Sequence, residues 1–189
     1  MTKPKALGRS DNTCRSFAGA DTTAIAINSI LYHLMRSPAA YQKLTAEIDA
    51  AVADGTLSTP VAYAEAIKLP YLKACINEGM RLHPSVGLTM PRVVPAGGAT
   101  ISGFHFPGGY RVGVNGAVVQ YDKDVFGPDA DNFNPDRWID GNAVNMEKAM
   151  VPFGAGPRTC IGKNVSAGLC ISSYMYADVR FADFHGRDL

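Results

Sequence analysis

The chain has 189 residues, of which 47% are hydrophobic and 19% charged, and 18 Lys and Arg stand against 17 Asp and Glu for a formal net charge of +1. This length suffices for one domain or slightly more with a sizeable buried core. The near-neutral charge, with no Lys/Arg cluster on any one face, argues against an electrostatic nucleic-acid footprint, so no nucleic acid is expected as a partner.

The most apolar stretch, Thr23 to Met35, contains Asn28, Tyr32 and His33 and is too short to span a bilayer. Met1-Thr2-Lys3-Pro4-Lys5 has no apolar segment behind its lysines, so neither a membrane segment nor an export signal is expected. Cys14, Cys75, Cys160 and Cys170 are widely spaced, without a C-x-x-C pair. That argues against a disulfide framework or structural zinc and for a reducing compartment.

Residues 1–16 are polar, interrupted by Pro4 and Gly8, and are expected to be a poorly ordered lead-in, with the folded domain spanning 17–189. From Phe17 the apolar period turns helical through Ile27, Ile30, Leu31, Leu34 and Met35, until Ser37-Pro38 stops it. Within Ala18-Gly19-Ala20-Asp21-Thr22-Thr23 two readings stay open. Either Asp21 caps a helix starting at Thr22, or Gly19 and Thr22 lie inside a longer helix where the Thr22 hydroxyl bonds back to Ala18. The second would open a groove for a small diatomic ligand beside an alcohol and a carboxylate.

Pro38 to Ala53 reads as an amphipathic helix with Leu44, Ile48 and Val52 on one stripe and a Lys43–Glu47 pair along it. A short helix is expected over 61–67. Pro70 then opens a helix over Tyr71 to Leu82, where Glu78 and Arg81 share a face, as an exposed ion pair or a buried one with further partners. Short apolar runs between Ser85 and Val119 predict a small irregular sheet, with another short helix over 116–121. Asp122 to Met150 reads as a long structureless loop, in which Phe133-Asn134-Pro135-Asp136-Arg137-Trp138 is either an aromatic plug or a segment that ties Arg137 to Glu78 and Arg81.

Phe153-Gly154-Ala155-Gly156-Pro157-Arg158-Thr159-Cys160-Ile161-Gly162 sets one cysteine among three glycines, an arginine and an aromatic. This suits a thiolate holding haem iron, a donor that favours O–O cleavage. Gly154, Gly156 and Gly162 permit close backbone approach, Arg158 suits a haem propionate, and Phe153 suits shielding of the sulfur.

In order, these stretches resemble the C-terminal part of a cytochrome P450, the family of haem-thiolate monooxygenases. Ala18 to Thr23 resembles the oxygen-activation segment, with Thr22 as its alcohol and Asp21 as its acid. Glu78-Gly79-Met80-Arg81 resembles the E-x-x-R pair, which Arg137 completes as a structural triad. Phe153 to Gly162 matches F-x-x-G-x-R-x-C-x-G, which makes Cys160 the proximal ligand. The segment from Val86 to Gly98 looks most like fungal members of the pisatin demethylase type; it implies Val86, Leu88 and Thr89 in the substrate pocket and Arg92 as a second propionate partner.

The resemblance implies a mainly α fold with a small irregular β-sheet, haem as cofactor, O2, an apolar organic substrate, and NADPH electrons through an external flavoprotein reductase. It begins near Phe17 and covers less than half of a typical member, without the anchor or the helices that build most of the substrate pocket. Full-length relatives are expected at the endoplasmic reticulum membrane, and a chain without the anchor in the cytoplasm. Beyond Ala167 the expected Leu/Glu-rich helix gives way to Gly168-Leu169-Cys170-Ile171-Ser172-Ser173-Tyr174, poorer in helix formers. Two products stay open: a monooxygenase, or a truncated haem-binding or interaction fragment without turnover.

Overall fold

The structure, a computed structural model, describes residues 9–58, 60–139 and 143–185, with side chains described from Phe17 to Tyr174. Its first helix, α1 (Arg9–Met35), starts upstream of the expected Phe17, so residues 9–16 form its opening turns rather than a poorly ordered lead-in. Residues 1–8 lie outside the described residues. The helix passes unbroken through Asp21, which removes the capping alternative. Asp21 is exposed mid-helix, and the Thr22 hydroxyl donates to the Ala18 carbonyl at 2.8 Å. The C-terminal end falls where expected, because Pro38 keeps Ser37 out of the helical conformation (φ −126°, ψ 77°).

α2 (Pro38–Ala53) buries Leu44, Ile48 and Ala51, while Val52, expected on the same stripe, is exposed. Lys43 and Glu47 do not pair along it. Lys43 reaches Asp136 at 2.8 Å, and the Glu47 carboxylate accepts the backbone N–H groups of Tyr71 and Leu72 at 2.8 and 2.9 Å. The reason lies at the next long helix: α4 (Pro70–Leu82) has no capping side chain of its own, and its orphan donors and dipole draw in a carboxylate from α2. Between them α3 (Tyr63–Ala66) is shorter than expected. In α4 every residue from Tyr71 to Leu82 is buried except Lys73 and Asn77. It is the central helix of the core, with α1, α2 and the last helix, α8 (Lys163–His185), packed around it.

The strands form two antiparallel ladders rather than one sheet. β1 (Thr89–Val93) pairs with β4 (Arg111–Asn115), and β2 (Ala99–Ile101) with β3 (Phe104–Phe106). Val86-Gly87-Leu88 lies before them. α5 (Gly116–Val119) follows β4 directly, its N-terminus capped by the Asn115 side chain.

The region from Asp122 to Met150 is not structureless. It holds α6 (Lys123–Phe126), a 3-10 turn (Pro135–Trp138) and α7 (Ala143–Ala149), with residues 140–142 outside the described residues. Phe126, Ala130, Trp138 and Met146 pack with Ala74 into a second cluster. Isolated apolar anchors among turn formers leave no period to read. A second 3-10 turn (Gly156–Arg158) precedes α8 (Lys163–His185), which continues well past Ala167. Cys170, Ile171 and Tyr174 are buried against the core, and the Tyr174 hydroxyl donates to the Ile27 carbonyl at 2.6 Å. Tertiary packing outweighs the modest propensity deficit. The architecture is mainly helical with a small strand component, and among the described residues no helix is long and apolar enough to cross a membrane.

Candidate active site

Glu78 and Arg81 lie one turn apart on α4 with both side chains 0% exposed. Arg81 donates through Nε to Oε2 and through Nη2 to Oε1 of Glu78, each at 2.8 Å, and the Arg137 Nε reaches Oε1 at 2.9 Å. Two more donors close on the same carboxylate: Trp138 Nε1 at 2.8 Å and the Asn134 backbone N–H at 2.9 Å. The remaining Arg81 donors reach the carbonyls of Gln120 (2.8 Å), Ala130 (2.7 Å) and Asn132 (3.2 Å). Arg137 forks onto the two oxygens of Asp129 at 3.0 and 2.9 Å and also donates to the Phe126 carbonyl. The Asn134 amide, and then Arg137, hold the Asp129 carboxyl below its usual range. Buried ions survive only when so fully surrounded by partners.

The brace extends toward the cysteine loop through Gln120, which is fully buried. Its amide donates to the carbonyls of Met80 (3.1 Å) and Arg81 (2.8 Å), and its oxygen accepts the Val151 N–H at 3.1 Å. From Val151 the chain enters the loop. Cys160 N–H donates to the Phe153 carbonyl at 2.9 Å, and Thr159 donates through backbone N–H (3.0 Å) and hydroxyl (2.7 Å) to Gly156. Gly154 and Gly156 sit at φ 71° and 69°, where a side chain is strained. Phe153 and Gly154 are half-buried, Arg158 is exposed, and the Lys163 ammonium stands 5.9 Å above the Phe153 ring. Gly162 faces the cysteine: a Cβ there would lie 3.8 Å from Cys160 Sγ and cover one flank of it. Cys160 is exposed, whereas Cys75 and Cys170 are buried and burial pushes their thiols up to about 12 and about 11.

Thr22 on α1 is half-buried beside Gly19, whose missing side chain leaves nothing within 4 Å. Its backbone carbonyl accepts the Ser85 hydroxyl at 2.6 Å, and its neighbour Thr23 shares a hydrogen bond with Ser166 at 3.1 Å. Ser166 N–H in turn bonds the Gly162 carbonyl at 2.9 Å. On the third side, Met90 Sδ lies 3.6 Å from where a Gly154 Cβ would be. Thus α1, the segment after α4 and the cysteine loop border one region. Val86, Leu88 and Thr89 are exposed on that segment, and Leu88 is 75% accessible. Arg92 is also exposed but turns back on its own strand, donating to the carbonyls of Pro91 (3.0 Å) and Met90 (3.4 Å). None of these lines the cleft of about 430 Å³ between α3, α4, α8 and Phe153.

Residues 15–167 match the family profile described as Cytochrome P450. The chain belongs to the cytochrome P450 family. It is 48% identical over 151 residues to cytochrome P450 monooxygenase ACRTS1 of Alternaria alternata, covering 79% of this chain and 40% of that protein. It is 46% identical over 151 residues to cytochrome P450 monooxygenase cicH of Emericella nidulans (79% and 30%). It is 45% identical over 149 residues to a pisatin demethylase of Fusarium vanettenii (79% and 28%). The chain therefore spans well under half the length of these relatives. P450 enzymes generally combine haem, dioxygen, an organic substrate and a reductase.

The donors present here fit such a haem. The exposed thiol is on a loop whose Gly154, Thr159 and Cys160 N–H groups bond to nearby carbonyls, Gly162 leaves its flank open, and Ile161 and Val165 beside it in the chain are exposed apolar side chains of the kind a flat apolar ring covers. Sequence reasoning missed Trp138, Gln120, Asp129, Ser85, Thr23 and Ser166. Only Trp138 carried a signal, as the single tryptophan, adjacent to Arg137.

His33 bears on the stability of this frame. It stacks on Phe133 (centroids 5.2 Å, planes 7° apart), just before the segment that binds Glu78. Burial lowers its pKa first; the Glu78 charge opposes this, and His83, Arg81 and Arg36 reinforce it. A folded value below the ordinary 6.5 means that the unfolded chain takes the proton more readily. The stabilisation is full above about 6.5 and declines as pH falls below it through the folded value. Thermal midpoints measured from pH 7 to 5 are expected to fall less steeply for His33→Gln than for the native chain; equal slopes would remove His33 from the acid response.

Proposed function

We propose that the chain provides the thiolate-ligand part of a haem monooxygenase that inserts one oxygen atom of O2 into an apolar organic substrate, with Cys160 as the iron ligand. The observation that carries this reading is the exposed Cys160 thiol on a loop closed by the Phe153 carbonyl and linked through Gly162, Ser166 and Thr23 to the Thr22 segment. When bound, haem supplies the two-electron activation of dioxygen, which a thiolate donor favours. The electrons come from NADPH through a flavoprotein reductase; with two protons they yield the hydroxylated substrate and water.

The chain's own groups take the remaining roles. Thr22, held on the Ala18 carbonyl, presents a hydroxyl to the oxygen side, and Asp21, exposed on the preceding position, exchanges protons with solvent. Phe153 shields the sulfur, while Gly154 and Gly162 keep side chains out of the approach. Arg158 and Arg92 are assigned to the propionates, Arg92 by giving up its contacts to Pro91 and Met90. Val86, Leu88 and Thr89 form part of the substrate wall. A second reading, haem binding without turnover, is supported by the exposure of Phe17, Leu88, Ile161 and Val165.

Reduced, carbon monoxide-treated chain loaded with haem is expected to show the strongly red-shifted Soret band of thiolate ligation. Cys160→Ser is expected to lose it; Thr22→Ala is expected to keep it and to lower product formed per NADPH consumed. A histidine-type spectrum, or no haem uptake, overturns the assignment of Cys160. A thiolate band without NADPH-dependent product selects the second reading.

A further inference from the structure

The Thr22-Thr23 step of α1 is held from both sides by serines that the roles above do not use. From the α4 side, Ser85 Oγ donates to the Thr22 carbonyl at 2.6 Å, half-buried. From the cysteine side, Ser166 Oγ shares a 3.1 Å hydrogen bond with the Thr23 hydroxyl, and Thr23 is buried. Ser166 is itself bound through its N–H to Gly162. From Gly162, two residues beyond Cys160, hydrogen bonds therefore lead through Ser166 to Thr23, and the adjoining Thr22 is bonded in turn to Ser85.

The position of these bonds gives them more than a packing role. Gly19 weakens the helix one turn before Thr22, and the Thr22 hydroxyl already takes part of the Ala18 carbonyl. A regular helix would give the Thr22 carbonyl only to the N–H four residues on. The Ser85 hydroxyl adds a second donor there and resists rotation of the segment. Ser166 holds the Thr23 side chain from a different element, so sliding or turning of α1 at Thr22 strains these bonds.

We propose that Ser85 and Ser166 are positioning residues that set the spacing between the Thr22 hydroxyl and Cys160. This rests on the reading that Thr22 and Cys160 flank the same haem, but its test does not need haem. A nitroxide is attached to Cys160 of the 15N-labelled 189-residue chain carrying Cys14→Ser; Cys75 and Cys170 are shielded by burial. The paramagnetic intensity loss of the amides of residues 18–26 then reports the spacing. Ser85→Ala and Ser166→Ala are each expected to shift the intensity ratios at Thr22 and Thr23 while those of α2 stay constant, and Ser85→Thr, which keeps the hydroxyl, is expected to restore the native pattern.

Native ratios in both alanine variants overturn the proposal, as does a shift that Ser85→Thr fails to reverse. If Ser166→Ala does not fold, Thr23→Val removes the same Ser166–Thr23 bond at nearly constant volume and is read by the same criteria; if Ser85→Ala does not fold, the Ser166 and Thr23 variants carry the test. A thiolate spectrum with unshifted ratios overturns the serine clamp alone. Shifted ratios in a chain that never ligates haem through Cys160 support the clamp and overturn the haem reading.

Discussion

Urea unfolding of the Glu78→Ala chain is expected to show a loss of about 3–5 kcal/mol, the range for removing one partner of a buried ion pair. Against the roughly 5–15 kcal/mol that holds a typical domain together, this leaves little margin. The substitution strips acceptors from Arg81, Arg137, Trp138 Nε1 and Asn134 N–H at once. Arg81 is 0% and Arg137 6% exposed, so water cannot take over without opening the segment around Pro135–Trp138. Glu78→Gln keeps one acceptor oxygen but turns an amide donor toward other donors, so its loss is smaller and of the same sign. Arg137→Ala is expected to fall below Glu78→Ala, because Glu78 then retains Arg81, Trp138 and Asn134. A Glu78→Ala chain within about 1 kcal/mol of the native one would mean that the carboxylate is not the hub of the frame.

What could be read in advance follows the range of the interactions involved. α2 and α4 were legible at both ends because prolines open them and a local period runs between. The cysteine loop and the glutamate–arginine pair were legible because their chemistry sits in short, dense motifs. The N-cap alternative at Asp21 stayed open because the turns that extend α1 back to Arg9 are polar and carry no period. The capping of α4 by Glu47 was illegible for a different reason: on α2 alone, Lys43 is the obvious partner, and only the tertiary placement of the α4 N-terminus offers a better one. Gln120, Ser85 and Ser166 are single polar residues whose partners lie far along the chain, and nothing local marks them. The region from Asp122 to Met150 shows the same limit for packing, since Phe126, Trp138 and Met146 meet only after folding.

The second large effect is expected one residue from Glu78. Gly79→Ala places a Cβ 2.4 Å from Ile30 Cγ1, 3.0 Å from Ile30 Cα and 3.1 Å from Ile30 Cβ. Rotation of the Ile30 side chain relieves the first contact but not the backbone one, and Ile30 is itself fully buried, so α1 must move away from α4. That displacement also strains the bond from the Ser29 hydroxyl to the Gly79 carbonyl (3.1 Å). Alanine gains about 1 kcal/mol in helix propensity over glycine, whereas overpacking of a fitted core costs about 1–3 kcal/mol and more where backbone must shift. Net destabilisation is expected, with hydrogen exchange accelerated along α1 at the Ala26 and Ile30 turns. On the roles proposed for Cys160 and Thr22, and because α1 carries Thr22, the haem-loaded variant is also expected to show the thiolate band while forming less product per NADPH consumed. Ile30→Ala in the same chain removes Cγ1 and is expected to recover part of the stability lost by Gly79→Ala, a non-additivity that a double-mutant cycle measures directly. Additive effects, or a Gly79→Ala chain as stable as the native one, would show that the two helices do not approach this closely.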